Sequence, residues 1–321
     1  MSNSSGCLVS VVIPTYNCGE YICAAVESAL AQTHRPIEVI VLDDGSTDDT
    51  RERLRANGGR GKYIYQASRG VAAARNAAIA AAEGDVVALL DADDLCAPRR
   101  VERQLNLLSA NPNVGFVACR APIMELDGKF TGGLYDGGAP LEGTGDVVIA
   151  GDSALLRFIK APFFLTATVL MRKSVFEAAG GYDESIRVCS DFDLTLRLLQ
   201  ICDMACVNEK LYFYRRGRPG SLSATRRKTC EWIIHVLEKF ARTPAGSVPE
   251  VRGALGERMA GRHTLLAAFL IQEHDLQGAR EHLAAAAREH RGPGTVARLA
   301  LAKTGLLGLP ILSWMARRRT R

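Results

Sequence analysis

Three acidic clusters hold the residues best suited to chemistry in this 321-residue sequence. Asp91-Ala92-Asp93-Asp94 places three carboxylates within four residues, directly after an apolar run. Like charges this close repel, so the arrangement costs stability unless a cation neutralises it. A few hard oxygen donors suit Mg²⁺ or Mn²⁺ that also binds substrate phosphates. Asp43-Asp44 stands before Gly45-Ser46, where the alternative reading is a polar turn capping the next helix. Asp191 and Asp193 open a predicted helix two residues apart, so they cannot both face one site. Asp193 reads as complementing the helix dipole. Arg215, Arg216 and Arg218 crowd one short segment, which suits either a diphosphate clamp or a solvated basic loop. His274, His282 and His290 recur every eight residues and read as a solvated helix face rather than a metal stripe.

The elements that must position these groups follow from periodicity. Leu8–Ile13, Ile37–Leu42, Lys62–Gln66 and Asp85–Leu90 read as strands. Glu20–Gln32, Thr47–Ala56 and Gly70–Glu83 between them read as helices. Such alternation predicts an α/β fold with a doubly wound, mostly parallel sheet. Ligands in these sheets bind beyond the carboxyl ends of the strands, which directs attention to Pro14–Asn17, Asp43–Ser46 and Asp91–Asp94. Further on, Val114–Arg120 and Thr166–Met171 read as strands, and Ser153–Ile159, Ser174–Ala179 and Asp191–Gln200 as helices. Seven glycines between Gly128 and Gly145 read as a mobile loop or as a set of tight turns. Beyond Ala224 the strand signals stop. Thr229–Phe240, Ala254–Gln272, Leu276–Glu289 and Thr295–Leu301 predict a helical extension.

Charge divides along the same boundary. Residues 1–224 carry 23 basic and 27 acidic side chains, a net −4, whereas residues 225–321 carry 17 and 8, a net +9. The expected organisation is therefore a catalytic domain over 1–224 and a helical region over 225–321. Hydrophobic residues at 47% exclude a disordered chain. Nine cysteines, odd in number and without a CxxC pair, fit a reducing cytosol. The first residues, MSNSSGCLVSVVIPTYN, read as carrying no secretory signal. Gly305–Ala316 is apolar and is followed by Arg317, Arg318, Arg319 and Arg321. That composition suits either an anionic membrane surface, here the inner face of the cell membrane, or a last packed helix with a basic end. No run interleaves basic and aromatic residues as a nucleic-acid platform would. GxGxxG after the first strand, GxxxxGK[ST] and GxSxG are all missing, against dinucleotide, P-loop and serine-hydrolase chemistry.

Six motifs now stand in one order: Pro14-Thr15-Tyr16-Asn17, Asp43-Asp44-Gly45-Ser46, Gly70 with Ala74-Arg75-Asn76, Asp91-Ala92-Asp93-Asp94, Gly180-Gly181-Tyr182-Asp183-Glu184 and Ser190-Asp191-Phe192-Asp193. In order and approximate spacing, residues 8 to about 223 resemble family 2 glycosyltransferases of the GT-A fold. The resemblance implies an inverting transfer from a nucleotide-diphosphate sugar, most simply a UDP-sugar, to a saccharide or lipid-linked hydroxyl. The pathway it implies is the building of cell-surface or exported polysaccharide. By the same resemblance Pro14, Thr15, Tyr16 and Asn17 lie under the nucleotide, and Asp43 and Asp44 border it, Asp44 accepting the uracil N3–H. Arg75 and Asp91-Ala92 lie beside the nucleotide, Asp93 is the direct Mn²⁺ or Mg²⁺ ligand with Asp91 near it, and Asp191 is the base. Two departures stand out. Ser190 replaces an acidic residue before the base, and Arg218 stands where the family often has a His. These leave open a non-catalytic nucleotide-sugar-binding subunit. A sugar-nucleotide nucleotidyltransferase is the other alternative, although its Gly-rich, Lys-containing loop after the first strand is missing.

Overall fold

The computed structural model describes residues 6–135, 145–218 and 226–290. The chain forms two compact units, residues 1–221 and 222–321.

In the first unit the sequence alternation becomes β1 (Val9–Thr15), α1 (Gly19–Leu30), β2 (Ile37–Asp43), α2 (Thr50–Ala56), β3 (Lys62–Tyr65), α3 (Val71–Ala80) and β4 (Val86–Leu89). There follow β5 (Leu95–Cys96), α4 (Arg100–Ala110), β6 (Val114–Arg120), β7 (Pro122–Met124), β8 (Phe130–Leu134), β9 (Val147–Ile149) and α5 (Gly151–Lys160). A 3-10 turn at Thr166–Thr168 then leads to β10 (Leu170–Arg172), α6 (Lys173–Ala178), α7 (Ser190–Leu198), β11 (Asp203–Lys210) and β12 (Tyr212–Arg215).

Eight strands form the main sheet in the order β3-β2-β1-β4-β10-β6-β11-β9. β3, β2, β1 and β4 are mutually parallel, as are β6 and β11, while β10 runs antiparallel between β4 and β6. The fold is the mostly parallel α/β sheet expected. One expectation needs correction: Thr166–Met171 is not one strand. Thr168 is buried and turns its hydroxyl onto the Leu165 carbonyl (2.6 Å), closing a 3-10 turn before β10 begins.

Alternation along β1 explains how the layers pack. Val9, Val11 and Ile13 point to one face, where they join Ile22, Val26 and Ala29 of α1 and Val101, Leu105 and Leu108 of α4 in a single core. Burying each such side chain contributes about 1.5–3 kcal/mol, so the face that packs on α1 and α4 fixes the strand register. That register sets Thr15 opposite Asp43 and Asp43 opposite Tyr65, bringing the carboxyl ends of β1, β2 and β3 to one level. A second sheet, β5-β12-β7-β8, lies beyond them, with β12 antiparallel to β5 and parallel to β7.

The second unit contains α8 (Arg226–Ala241), α9 (Pro249–Gln272) and α10 (Leu276–Glu289). Cys230 and Ile234 of α8, Leu266, Ala267 and Leu270 of α9, and Ala279 and Leu283 of α10 form its core. Thr295–Leu301, Gly305–Ala316 and the terminal arginines lie outside the described residues, as does much of the glycine-rich segment (136–144). Among the described residues no helix is long and apolar enough to cross a membrane. None of the nine cysteines forms a disulfide.

Candidate active site at the carboxyl edge of the sheet

β1 ends in Pro14 and Thr15, and Tyr16 stands half exposed beyond them. Asn17 adopts φ 50°, a left-handed conformation that Asn tolerates. Its amide oxygen accepts the Thr47 backbone N–H at 2.8 Å, and its own N–H donates to Ser46 Oγ at 2.9 Å. Asn17 thus braces the loop after β2 as well as bordering the site.

At the end of β2 the paired carboxylates divide their work. Asp43 accepts the Ser46 N–H at 2.8 Å and the Tyr63 hydroxyl at 2.7 Å. Asp44, buried, accepts Gln66 Nε2 (2.6 Å), the Arg69 and Gly70 N–H groups (2.9 and 2.8 Å) and Ser68 Oγ (3.3 Å). Four donors fill a carboxylate's acceptor positions. A base N–H would reach Asp44 only by replacing a side-chain donor, and Gln66 is the side chain that binds it most closely.

After β4 each carboxylate of Asp91-Ala92-Asp93-Asp94 has its own partner. Asp91 Oδ1 takes Arg75 Nη2 at 2.8 Å. Asp93 Oδ2 takes Arg218 Nε at 2.6 Å. Asp94, 1% exposed, accepts the Tyr212 hydroxyl at 2.6 Å and the Arg215 N–H at 2.7 Å. Tyr212 in turn accepts the Asp91 N–H at 3.2 Å, so one phenol fixes both ends of the tetrapeptide. Beneath it the buried Arg100 guanidinium lies 5.0 Å from the Tyr212 ring centroid. The repulsion foreseen from the sequence is therefore met largely by arginines and by one buried phenol. Burial, then the neighbouring Asp91, pushes the Asp93 carboxyl above its ordinary value, and Arg218 pulls it back. Asp94 is pushed up further, by burial and then by Asp93 and Asp91.

Arg75 is the centre of the arrangement. α3 presents it inward, and its guanidinium lies 5.4 Å from the Tyr182 ring centroid. Burial opposes its charge, but Asp91, Tyr182 and Asp191 together outweigh burial and hold it more firmly protonated than a free arginine. Burial pushes the Tyr182 phenol up to about 12 against the pull of Arg75. Asn76 ties Tyr182 in place, donating to its carbonyl at 2.9 Å and accepting its N–H at 2.8 Å. These bonds join the Arg75-Asn76 and Gly180–Glu184 motifs in space.

Asp191 enters from the first turn of α7. Cys189, at φ 66°, ends the preceding loop, and Phe192 stacks on Phe158 of α5 at 5.3 Å. The carboxylate accepts Thr166 Oγ1 at 2.5 Å and the Phe192 N–H at 2.9 Å, and is partly exposed. Asp193 points elsewhere: it is buried and ion-paired with Arg197 at 2.6 Å.

The basic segment does not act as a unit. Arg215 donates to the carbonyls of Asp93 (2.8 Å) and Leu126 (3.0 Å) and lies over the Tyr21 ring. Arg216 pairs with Glu125 at 2.6 Å on the surface. Of the three, Arg218 is the one whose guanidinium pairs with a carboxylate of the site, Arg215 reaching Asp94 only through its backbone N–H. Sequence reading gave no site role to Thr166, Tyr182 or Tyr212, although Tyr182 stands within the Gly180–Glu184 motif and Tyr212 just ahead of Arg215-Arg216. The histidine stripe also divides. His274 and His290 are exposed, whereas His282 stacks on His263.

Asp91 and Asp93 are the residues able to hold a divalent ion. The position suits one, since a guanidinium is already drawn to each carboxylate. Among the described residues no three His, Cys, Asp or Glu side chains gather as a metal site, so a cation held there would need phosphates or water to complete its ligand set.

The profile of glycosyl transferase family 2 matches residues 10–180, more than half of the chain. The chain belongs to glycosyl transferase family 2. An uncharacterized glycosyltransferase of Rickettsia typhi is 30% identical over 209 residues, covering 65% of this chain and 64% of that one. Chondroitin synthase of Escherichia coli is 30% identical over 208 residues, covering 64% of this chain and 28% of that one. The chain thus spans less than two thirds of the length of these relatives. Among solved structures, S. aureus TarS 1-349 superposes with a TM-score of 0.67 at 17% identity, covering 98% of this chain and 92% of that one. That protein has also been solved in complex with UDP-GlcNAc, with a TM-score of 0.66 at 17% identity, covering 97% of this chain and 91% of that one. The mannosyltransferase PcManGT from Pyrobaculum calidifontis, in complex with GDP-Man and Mn²⁺, gives 0.58 at 20% identity, covering 96% and 84%. The family 2 fold in this chain is of the GT-A type.

Proposed function

We propose that this protein is an inverting glycosyltransferase that moves a sugar from a nucleotide-diphosphate donor, most simply a UDP-sugar, to a saccharide or lipid-linked hydroxyl. The observation that carries the reading is convergence at Arg75. Asp91 after β4 and Asp191 in α7, a hundred residues apart, both act on one buried guanidinium. That convergence supports a reading in which the nucleotide end and the base share one site. Solved neighbours that bind UDP-GlcNAc, or GDP-Man with Mn²⁺, support the donor class.

In this reading Pro14–Asn17, Asp43, Asp44 and Arg75 receive the nucleotide, with Gln66 releasing Asp44 to the base. An acceptor hydroxyl is a poor nucleophile, so Asp191 takes its proton as it attacks the anomeric carbon. Thr166 holds the Asp191 carboxylate toward that proton. The bond to the diphosphate breaks as the new glycosidic bond forms. One base without a covalent partner makes this a single displacement with inversion, unlike the paired carboxylates of a hydrolase. Asp91 and Asp93 would hold a divalent cation, which would supply Lewis-acid charge for the leaving diphosphate. The net +9 of residues 225–321 suits an anionic membrane surface, where lipid-linked acceptors for cell-surface polysaccharide lie.

Asp191→Asn tests the reading. Transfer falls by about 10³-fold or more, the scale expected on losing a positioned base, while UDP affinity by calorimetry stays within error. A wild type that binds UDP but neither transfers nor hydrolyses any donor is instead a binding subunit.

A further inference from the structure

The Arg218–Asp93 pair joins residues 125 positions apart, and both side chains keep less than one fifth of their surface. We propose that Arg218 is an exchangeable counter-ion: it holds Asp93 in the donor-free protein and cedes the carboxylate to a divalent cation only when a nucleotide diphosphate gives the guanidinium another anion. The proposal rests on the nucleotide-diphosphate reading above.

Three observations lead to it. Asp93 and Asp91 differ in how they are neutralised. The partner of Asp91 is anchored, because Arg75 springs from a helix, is buried and is braced by the Tyr182 ring. The partner of Asp93 springs from the residues just after β12, outside any helix or strand. Arg215 and Arg216 are engaged by backbone carbonyls and by Glu125, which leaves Arg218 as the member of the segment whose charge serves the site. Lastly, the Arg218 guanidinium lies within electrostatic range of Cys18 and Tyr21, just beyond the loop after β1, as well as of Asp93. It is therefore near both Asp93 and the end of the Pro14–Asn17 turn that receives the nucleotide in the proposed function.

A guanidinium and a divalent cation on one partly buried carboxylate repel each other strongly, because little water screens them. Asp93 thus holds one or the other. An incoming diphosphate resolves the competition, since a guanidinium binds phosphate oxygens by the same forked geometry as a carboxylate. Binding of cation and nucleotide then becomes mutually dependent, and the cation alone binds poorly.

The experiment titrates Mn²⁺ alone, followed by electron paramagnetic resonance, into the full-length wild type, Arg218→Gln, Arg218→Ala and Arg218→Gln/Asp93→Asn. Without nucleotide, both single variants are expected to bind Mn²⁺ about tenfold more tightly than wild type, and the double variant loses the gain. With UDP, wild type gains affinity for Mn²⁺, while the single variants gain less and bind UDP about tenfold more weakly. Equal Mn²⁺ binding by wild type and both single variants, or a gain that survives Asp93→Asn, overturns the exchange. If no variant binds UDP while Arg218→Gln still gains Mn²⁺, the donor reading fails and the competition at Asp93 stands.

Discussion

Asp91, Asp93 and Asp94 show how neighbouring carboxylates can be given different environments. Asp91 and Asp93 face guanidinium groups from different elements, whereas Asp94 turns inward to a phenol and a backbone N–H. Tyr212 is the residue whose removal should separate structure from charge. Tyr212→Phe keeps the ring over Arg100 but deletes the hydroxyl shared by Asp94 Oδ2 and the Asp91 N–H. A buried carboxylate left short of a donor costs about 1–3 kcal/mol, so the melting temperature falls by several degrees. Because the same hydroxyl positions Asp91, calorimetry should show weaker UDP binding as well. An unchanged melting temperature would mean that the Arg215 N–H alone satisfies Asp94.

The elements do their positioning through close approaches that specific residues permit. Gly45 follows the two aspartates at φ 82°, and a methyl group there would lie 2.8 Å from the Ser68 nitrogen. Ser68 belongs to the loop that wraps Asp44, so Gly45→Ala strains the turn and pushes on that loop together. The expected loss is about 1–2 kcal/mol in thermal melting, with weaker UDP binding. Gly253→Ala is the contrast: the site is helical and exposed, and the new methyl meets nothing within 4 Å. It should raise stability by about 0.5–1 kcal/mol. Gly45 also marks the limit of what the sequence makes legible. Short apolar runs and their turns are local, so β1 to β4 and the acidic strand ends can be read directly. The antiparallel insertion of β10 cannot, because its partners β4 and β6 are distant in sequence and Thr168 hides a turn inside an apolar stretch. The site divides the same way. Asp91, Asp93 and Asp191 announce themselves by type and place. Their partners Arg75, Arg218 and Thr166 lie 16, 125 and 25 positions away, and only folding brings them together.

At the scale of the whole molecule the net charge of +5 joins two units whose responses to acid should differ. In the second unit His263 and His282 face each other across α9 and α10, with Nδ1 atoms 2.9 Å apart and rings stacked at 5.1 Å. One neutral ring donates to the other, and the pair cannot take a second charge without losing that bond. Burial lowers His263 to about 4, helped by His282 and Arg288. His282 is lowered by burial, with Glu281, Glu231 and Asp275 opposing and Arg227 assisting. Unfolded histidine takes its proton near 6.5, whereas native His263 refuses it until about 4. The unfolded state therefore binds more protons between these values, and the stability of this unit falls as pH drops through that window. For His263 alone the loss amounts to about 2 kcal/mol at pH 5 and levels off below its native pKa. Amide exchange on the full chain, corrected for intrinsic rates, should show protection in α9 and α10 falling between pH 7 and pH 5, with His263→Phe removing most of the slope. Protection in those helices that stays constant across the window would show that the histidine pair does not control the helical unit.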